Sequence, residues 1–391
     1  MFPFKQKMIL RKAGAALLIV AFIGWCLLLQ PLWTTGTGVP QSRLPQNHAY
    51  VFYATENPYA CSALVNAHRL RTRLASKIPI IFLVGPGVDD TAIAAFKTSN
   101  IGITVVLDDA PPLPADSMEY YSEVLLKLRA FRLHQVNPAL ERIVVMDSDQ
   151  LVRKNLDHLF SLPAADVAAP LLYWGGGMGV TTALMVASLS DELWGIVDGA
   201  MHHMRNGEYD MDLINKVLQK RLMVLPGRYC TLNSHWEARD TPGWFKGTKT
   251  KADATSEELE ALYKEVEVLH FTAMGKPWGV MPSRIVSDRV ILRQSEVHPL
   301  FVEQFEEWHK DANQLCTAFW EFEEPPPVEP PETPEPSTSK PPPKTPSKAL
   351  PKATSSVKLV HTSAPIHTSV PAHTPARAKP QTPAHTLGPA V

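Results

Sequence analysis

The sequence predicts an α/β fold: an open, mixed and mostly parallel sheet flanked by helices. Three observations predict it. Between Ala49 and Leu172, short β-rich apolar runs alternate with segments of helical period, the pattern of a sheet whose strands are joined by crossover helices. One of those runs ends in two carboxylates, Asp147-Ser148-Asp149, and ligand sites in open α/β sheets gather at the carboxyl ends of strands. The chain has 391 residues and 36 prolines, half of them after residue 324. Setting that tail and an N-terminal apolar stretch aside leaves about 275 residues, enough for one large core.

The chain opens with Lys5, Lys7, Arg11 and Lys12 and no acid, followed by an uninterrupted apolar run, Ala13 to Leu29. As a helix at ~1.5 Å per residue this run is ~26 Å long, close to the ~27 Å core of an early secretory membrane. Residues 1–12 are therefore expected to be cytoplasmic, 13–29 a transmembrane signal anchor, and the remainder lumenal. A cleaved signal peptide is the rival, but Gln30-Pro31-Leu32-Trp33 stands where a small-residue cleavage site belongs. Residues 30–48 read as a stem and 49–322 as the folded domain.

Within that domain Ala49 to Thr55 reads as the first strand, ending at a Glu56-Asn57-Pro58-Tyr59 turn. Leu64, Ala67, Leu70 and Leu74 give Cys61–Leu74 a helical face. Ile78–Val84 is a second strand stopped by Gly85-Pro86-Gly87, Thr91–Thr98 a short helix, and Ile103–Leu107 a third strand. Residues 117–135 predict an amphipathic helix with Leu125, Leu128 and Phe131 in the core and Lys127 and Arg129 pointing elsewhere. After the strand through Met146 come a turn and short helix at Asn155–Phe160, a strand at Asp166–Leu172, and a flexible loop with Gly175, Gly176, Gly177 and Gly179. Val180–Ala187 predicts a strand, Leu193–His203 a helix, Tyr209–Asn215 a helix start, and Arg221–Leu225 a strand. Residues 239–254 read as a polar surface loop. Thr255-Ser256-Glu257-Glu258 is a capping box for a helix through Glu265. Val266–Phe271 and a helical, aromatic-rich stretch at 282–322 complete the domain. Residues 323–391, rich in Pro, Ser and Thr and without aromatics, bury too little apolar area to offset ordering entropy and predict a disordered tail.

Composition excludes some classes. The net charge is −1, and no basic stripe interleaved with aromatics marks a nucleic-acid partner. Cys26 lies in the apolar N-terminal stretch. Cys61, Cys230 and Cys316 allow at most one intramolecular disulfide, and their spacing fits no zinc module.

The chemistry begins at Asp147 and Asp149. At period two both project to one side and Ser148 to the other. Two close carboxylates repel unless a proton or cation lies between them, which points to a hard divalent metal. A strand followed by an Asp-rich turn is the plainer alternative for the motif alone. Asp210 and Asp212 likewise fit plain N-terminal charge on a helix.

Several motifs in order resemble those of glycosyltransferase family 8, the glycogenin-like retaining enzymes. They are Thr55 and Tyr59 after the first strand, Lys127-Leu128, the Asp147/Asp149 pair, and the Thr181–Val186 strand. Asp210, Asp212 and Asn215 on a helix start and His270-Phe271 followed by Lys276-Pro277-Trp278 complete the set. The Tyr209–Asn215 wording is similar to that of fungal Golgi members of the N-acetylglucosaminyltransferase type. The resemblance covers roughly residues 49–280 and implies a GT-A type nucleotide-diphospho-sugar transferase fold. It implies a Mn²⁺ or Mg²⁺ ion held by Asp147, Asp149 and His270, with a UDP-sugar as donor, a glycan or glycoprotein as acceptor, and a Golgi membrane location. Thr55, Glu56 and Tyr59 then lie at the base and ribose end, Lys127, Ser148 and Lys276 beside sugar and diphosphate, and Asp210 with Asp212 at the reacting face. Glu56, Thr181-Thr182-Ala183, Met211 and Ala273 depart from the family pattern without removing an expected metal ligand. Three rivals remain. One is a lumenal nucleotide-sugar-binding protein without turnover. Another is glycogenin itself, against which the anchor argues. The last is a haloacid-dehalogenase-type phosphatase, which usually carries its aspartate pair on the first strand, whereas three candidate strands precede Asp147.

Overall fold

The computed structural model describes residues 47–115, 123–175, 179–247, 250, 252–322 and 324. All lie in a compact unit spanning Met1–Glu332. The expected anchor at 13–29, most of the stem and nearly all of the tail lie outside the described residues. Among the described residues no helix is long and apolar enough to cross a membrane.

The chain builds the expected mixed α/β sheet. In order come β1 (His48–Glu56), α1 (Asn57–His68) running into a π-helical turn at Arg69–Arg73, β2 (Ile80–Gly87), α2 (Asp90–Thr98) and β3 (Ile103–Leu107). A 3₁₀ segment at Val124–Arg132 leads into α3 (Leu133–Val136), β4 (Arg142–Met146) and β5 (Gln150–Val152). Then follow β6 (Val167–Pro170), β7 (Leu184–Ser188), α4 (Asp191–Met201), α5 (Asp210–Val217) and β8 (Leu222–Leu225). The last elements are β9 (Thr231–Leu232), α6 (Ser234–Ala238), α7 (Ser256–Glu265), β10 (Val268–His270), α8 (Ile285–Ile291) and α9 (Pro299–Leu315). The main sheet has strand order β3-β2-β1-β4-β7-β6-β8, and a small sheet has order β5-β10-β9. In the main sheet β1 pairs in parallel with β2 and β4, as do β2 with β3 and β6 with β8, while β7 runs antiparallel to β4 and β6.

Strand period two explains why β1 is buried on both faces. Tyr50, Phe52 and Ala54 enter one core, and Ala49, Val51 and Tyr53 enter the other. A third cluster gathers Trp236, Phe301, Phe305 and Trp308 around α9; each such fully buried side chain contributes about 1.5–3 kcal/mol. Cys61 on α1 is disulfide-bonded to Cys316 at the end of α9, and Cys230 is a buried free thiol.

The structure departs from the sequence reading in six places. The Glu56–Tyr59 turn is the start of α1, with Glu56 at the N-cap and proline in the first turn, a position where its missing N–H costs nothing. Between Val124 and Arg132 the expected α-helix is 3₁₀. Leu125, Leu128 and Phe131 are spaced by three, which stacks them on one face of a three-residue turn. β2 continues through Gly85-Pro86 to Gly87, where a Cβ would come within 2.4 Å of the Thr55 carbonyl oxygen. The strand expected from Val180 begins at Leu184; Val180 forms an isolated bridge to Leu171. The 239–254 loop is not merely surface, because Phe245 and Ala254 are buried. The 282–322 stretch is broken into α8 and α9 between Leu292 and His298.

Candidate active site

Tertiary structure brings three separate segments together at the carboxyl end of β4. Asp147 leaves that strand with its N–H donating to the Ala183 carbonyl (2.9 Å). The turn to β5 is fixed by Ser148, which is buried. Its hydroxyl donates to the Tyr53 carbonyl, and its own carbonyl accepts from the Ser62 hydroxyl, both at 2.5 Å. Ser62 in turn accepts from the Trp308 indole (2.9 Å). With Ser148 turned inward, the bend leaves Asp147 against Lys127 and Asp149 against Lys276 and His270.

His270 arrives on β10, whose antiparallel register with β5 places it beside Gln150. One ligand atom from each of Asp147, Asp149 and His270 lies within 4.8 Å of the others. Two carboxylate oxygens and one imidazole nitrogen at that spacing fit a divalent cation.

Two cations of the cluster are lysines. Lys127, 2% exposed, sets its ammonium 2.7 Å from Asp147 and 2.8 Å from Asp210. Burial works against its charge, but the two carboxylates outweigh burial and raise its pKa. Lys276 forms a close ion pair with Asp149. Burial disfavours the Asp149 anion, yet Lys276 and His270 hold its pKa well below the usual carboxylate range. The Asp147 pKa is raised by burial, opposed by Lys127 and assisted by Asp149 and Asp210. His270, despite its burial, is pushed up to about 10 by Asp149 and Cys230. Its Nε2 lies 3.3 Å from Asp149 and its Nδ1 3.5 Å from the Cys230 sulfur.

Other expected residues divide. Asp210, at the start of α5, is buried and accepts from the Thr182 hydroxyl as well as from Lys127. Asp212 is exposed and turned to its own helix, where it accepts from the Tyr209 N–H (3.0 Å) in a capping box, so the structure does not bring it to the cluster. Thr55 is buried and bonded to Glu123, Glu56 is exposed, and Tyr59 tilts against Trp278 with ring centroids 4.6 Å apart.

The sequence reading missed Tyr53, whose hydroxyl donates to Asp147 (3.0 Å). The signal was present: Tyr53 is one residue beyond Phe52, the register partner of Met146, as Asp147 is one beyond Met146. It also missed Asn233, whose side-chain oxygen accepts from the N–H groups of Thr272 and Ala273 (2.8 Å each) and fixes the loop between His270 and Lys276.

No family model matches the chain. Similarity to curated proteins covers only part of it. The chain is 24% identical over 247 residues to "Glucose N-acetyltransferase 1" of Gibberella zeae, covering 59% of this chain and 53% of that protein. It is 24% identical over 267 residues to the protein of the same name in Aspergillus fumigatus, covering 62% and 67%. The chain thus spans about half the length of the first of these relatives and two thirds of the second. Among solved structures it is similar to a galactosyltransferase, LgtC, in complex with donor and acceptor sugar analogs. That likeness has 16% identity and a TM-score of 0.47, over 69% of this chain and 96% of the other. By sequence the chain is a relative of the fungal glucose N-acetyltransferase 1 proteins, in accord with the family 8 resemblance of its ordered motifs.

Proposed function

We propose that this chain is a metal-dependent retaining glycosyltransferase of GT-A type, moving a sugar from a nucleotide-diphosphate donor to a glycan or glycoprotein acceptor. The single observation that carries the reading is the meeting of Asp147, Asp149 and His270, with Lys127 and Lys276 beside them. The donor is a UDP-sugar, UDP-GlcNAc or UDP-glucose. A cation held by the three ligands would supply Lewis-acid stabilisation to a departing diphosphate. Lys276 is placed to exchange its contact with Asp149 for one with diphosphate oxygens, and loss of such a donor costs about 3–4 kcal/mol of transition-state stabilisation. Lys127 fixes Asp210, whose carboxylate would lie against the sugar and stabilise a developing oxocarbenium charge. The Cys61–Cys316 disulfide requires an oxidising compartment, which supports a lumenal, Golgi-type setting for the domain behind an N-terminal anchor.

The test is a nucleotide-sugar panel with Mn²⁺, comparing the full chain with Asp149→Ala. Metal-dependent release of nucleotide diphosphate from one donor, lost in the variant, is the expected result. Equal release by both proteins from every donor refutes it, as does a phosphoaspartate trapped on Asp147. The relatives' name also admits an acetyl donor, so acetyl-coenzyme A belongs in the panel. Acetyl transfer without nucleotide release would replace the reading.

A further inference from the structure

The hairpin between β6 and β7 is tied to the metal cluster at both ends. Its arms are closed by Leu172 N–H to Gly179 carbonyl (2.9 Å), Thr181 N–H to Pro170 carbonyl (2.8 Å) and the Leu171–Val180 bridge. On one side Thr182 donates to Asp210, and Asn215 of α5 exchanges hydrogen bonds with the Val180 backbone (2.8 and 2.7 Å). On the other side the Tyr173 hydroxyl accepts from the N–H of Leu232 (3.0 Å), the register partner of His270. Tyr173 is further locked by His235. Its hydroxyl lies 3.0 Å from His235 Nε2, its ring stacks on the imidazole at 5.6 Å, and His235 Nδ1 is bound to Asp240 at 2.5 Å.

This Tyr173–His235–Asp240 chain holds one aromatic residue at the surface. Trp174 is 41% exposed, and its ring meets Tyr173 at 90° with centroids 4.9 Å apart. Among the described residues' exposed large apolar side chains it alone is aromatic. A partly exposed indole braced on Tyr173, whose hydroxyl is bonded to the strand neighbour of His270, is suited to the apolar C–H face of a pyranose. The sheet order separates this position from the donor's base. Thr55 lies at the end of β1 and Tyr59 in the first turn of α1, Asp147 at the end of β4, and the hairpin between the end of β6 and the start of β7 beyond it.

Resting on the glycosyltransferase reading, we propose that Trp174 is the platform for the acceptor sugar, with Tyr173, His235 and Asp240 as its positioning residues. The experiment compares the full chain with Trp174→Ala and Trp174→Phe, using saturation-transfer NMR with a panel of methyl glycosides and, with an active donor, acceptor KM. Because Trp174 is exposed, the alanine variant is expected to keep the wild-type melting temperature. It should weaken glycoside binding and raise acceptor KM by ~3- to 10-fold, the scale of one aromatic contact. Trp174→Phe should retain most of the binding, and release of nucleotide diphosphate to water should be unchanged. Equal glycoside binding by wild type and Trp174→Ala overturns the platform. So does a loss of donor hydrolysis matching the loss of transfer, which would move Trp174 to the donor side. If no donor is turned over, the glycosyltransferase reading fails by itself, and the glycoside comparison still decides whether Trp174 binds sugar.

Discussion

Replacing Lys127 by alanine measures what the buried charges of the site cost the fold. Its ammonium contacts Asp147 and Asp210 at 2.7 and 2.8 Å, and their side chains are only 15% and 8% exposed. Removing one partner from such a buried pair costs about 3–5 kcal/mol, because the remaining charge keeps its desolvation penalty; an exposed pair would cost about 0–1 kcal/mol. Two carboxylates are orphaned at once, so the upper part of the buried range is expected. Guanidinium unfolding with chelator present should show a lower midpoint at unchanged slope. Asp210→Asn in the Lys127→Ala background should recover part of the loss, with a coupling of ~1–3 kcal/mol. The pH dependence has a definite sign. Burial raises the Asp147 pKa above its ordinary 3.8, so its contribution to stability is full below that value and is lost as pH rises through the folded pKa. Lys127 opposes that rise, and without it the window widens. The deficit of the variant should therefore shrink on acidification. A deficit below about 1 kcal/mol, or one that grows in acid, would refute the assignment of Lys127 as the buried counter-ion.

Two further variants probe what surrounds the cluster. Removing the disulfide by Cys61→Ala with Cys316→Ala should cost about 2–5 kcal/mol, since the crosslink spans 255 residues of sequence. A guanidinium midpoint equal to that of the oxidised wild type would contradict this. Cys230→Ala should lower Mn²⁺ affinity about tenfold, read by the electron spin resonance of free Mn²⁺, because the thiol is the partner of His270 Nδ1. Cys230→Ser should restore part of the affinity, and unchanged binding in the alanine variant would show that His270 needs no such support.

Legibility in the sequence followed the locality of the physics. β1, β2 and β4 were readable because burial on both faces needs continuous apolar runs, and the Thr255 capping box was readable because its two reciprocal bonds lie within four residues. Asp147, Asp149 and His270 were found because each sits at or just past a strand end in a recognisable string, and Lys276 because it follows His270 in one. The 3₁₀ form of Val124–Arg132 was not, although its apolar spacing of three was in view, because residues three apart are also neighbours on one face of an α-helix. Asp212 was misleading for the opposite reason: an acid at the third helical position serves the helix itself, and that use looks the same in sequence. Tyr173, His235 and Asp240 could not be joined in advance, since 62 residues separate the first two and they meet only where the chain after β6 lies against β9 and the start of α6. The choice of Cys61 with Cys316 over Cys230 likewise depended on α1 lying against α9.

The disulfide also imposes an order on biosynthesis. Cys61 and its partner are 255 residues apart, so at ~5–20 residues per second Cys61 waits about 13–51 s for Cys316 to be made. Cys230 emerges within that interval as a competing partner. In the finished protein it is withdrawn behind His270, and that shelter exists only once β9 has paired with β10. Correct oxidation therefore favours closure of the small sheet before α9 arrives, and the sheet whose β5–β10 pairing completes the ligand set also protects the chain, through β9–β10, from the wrong crosslink.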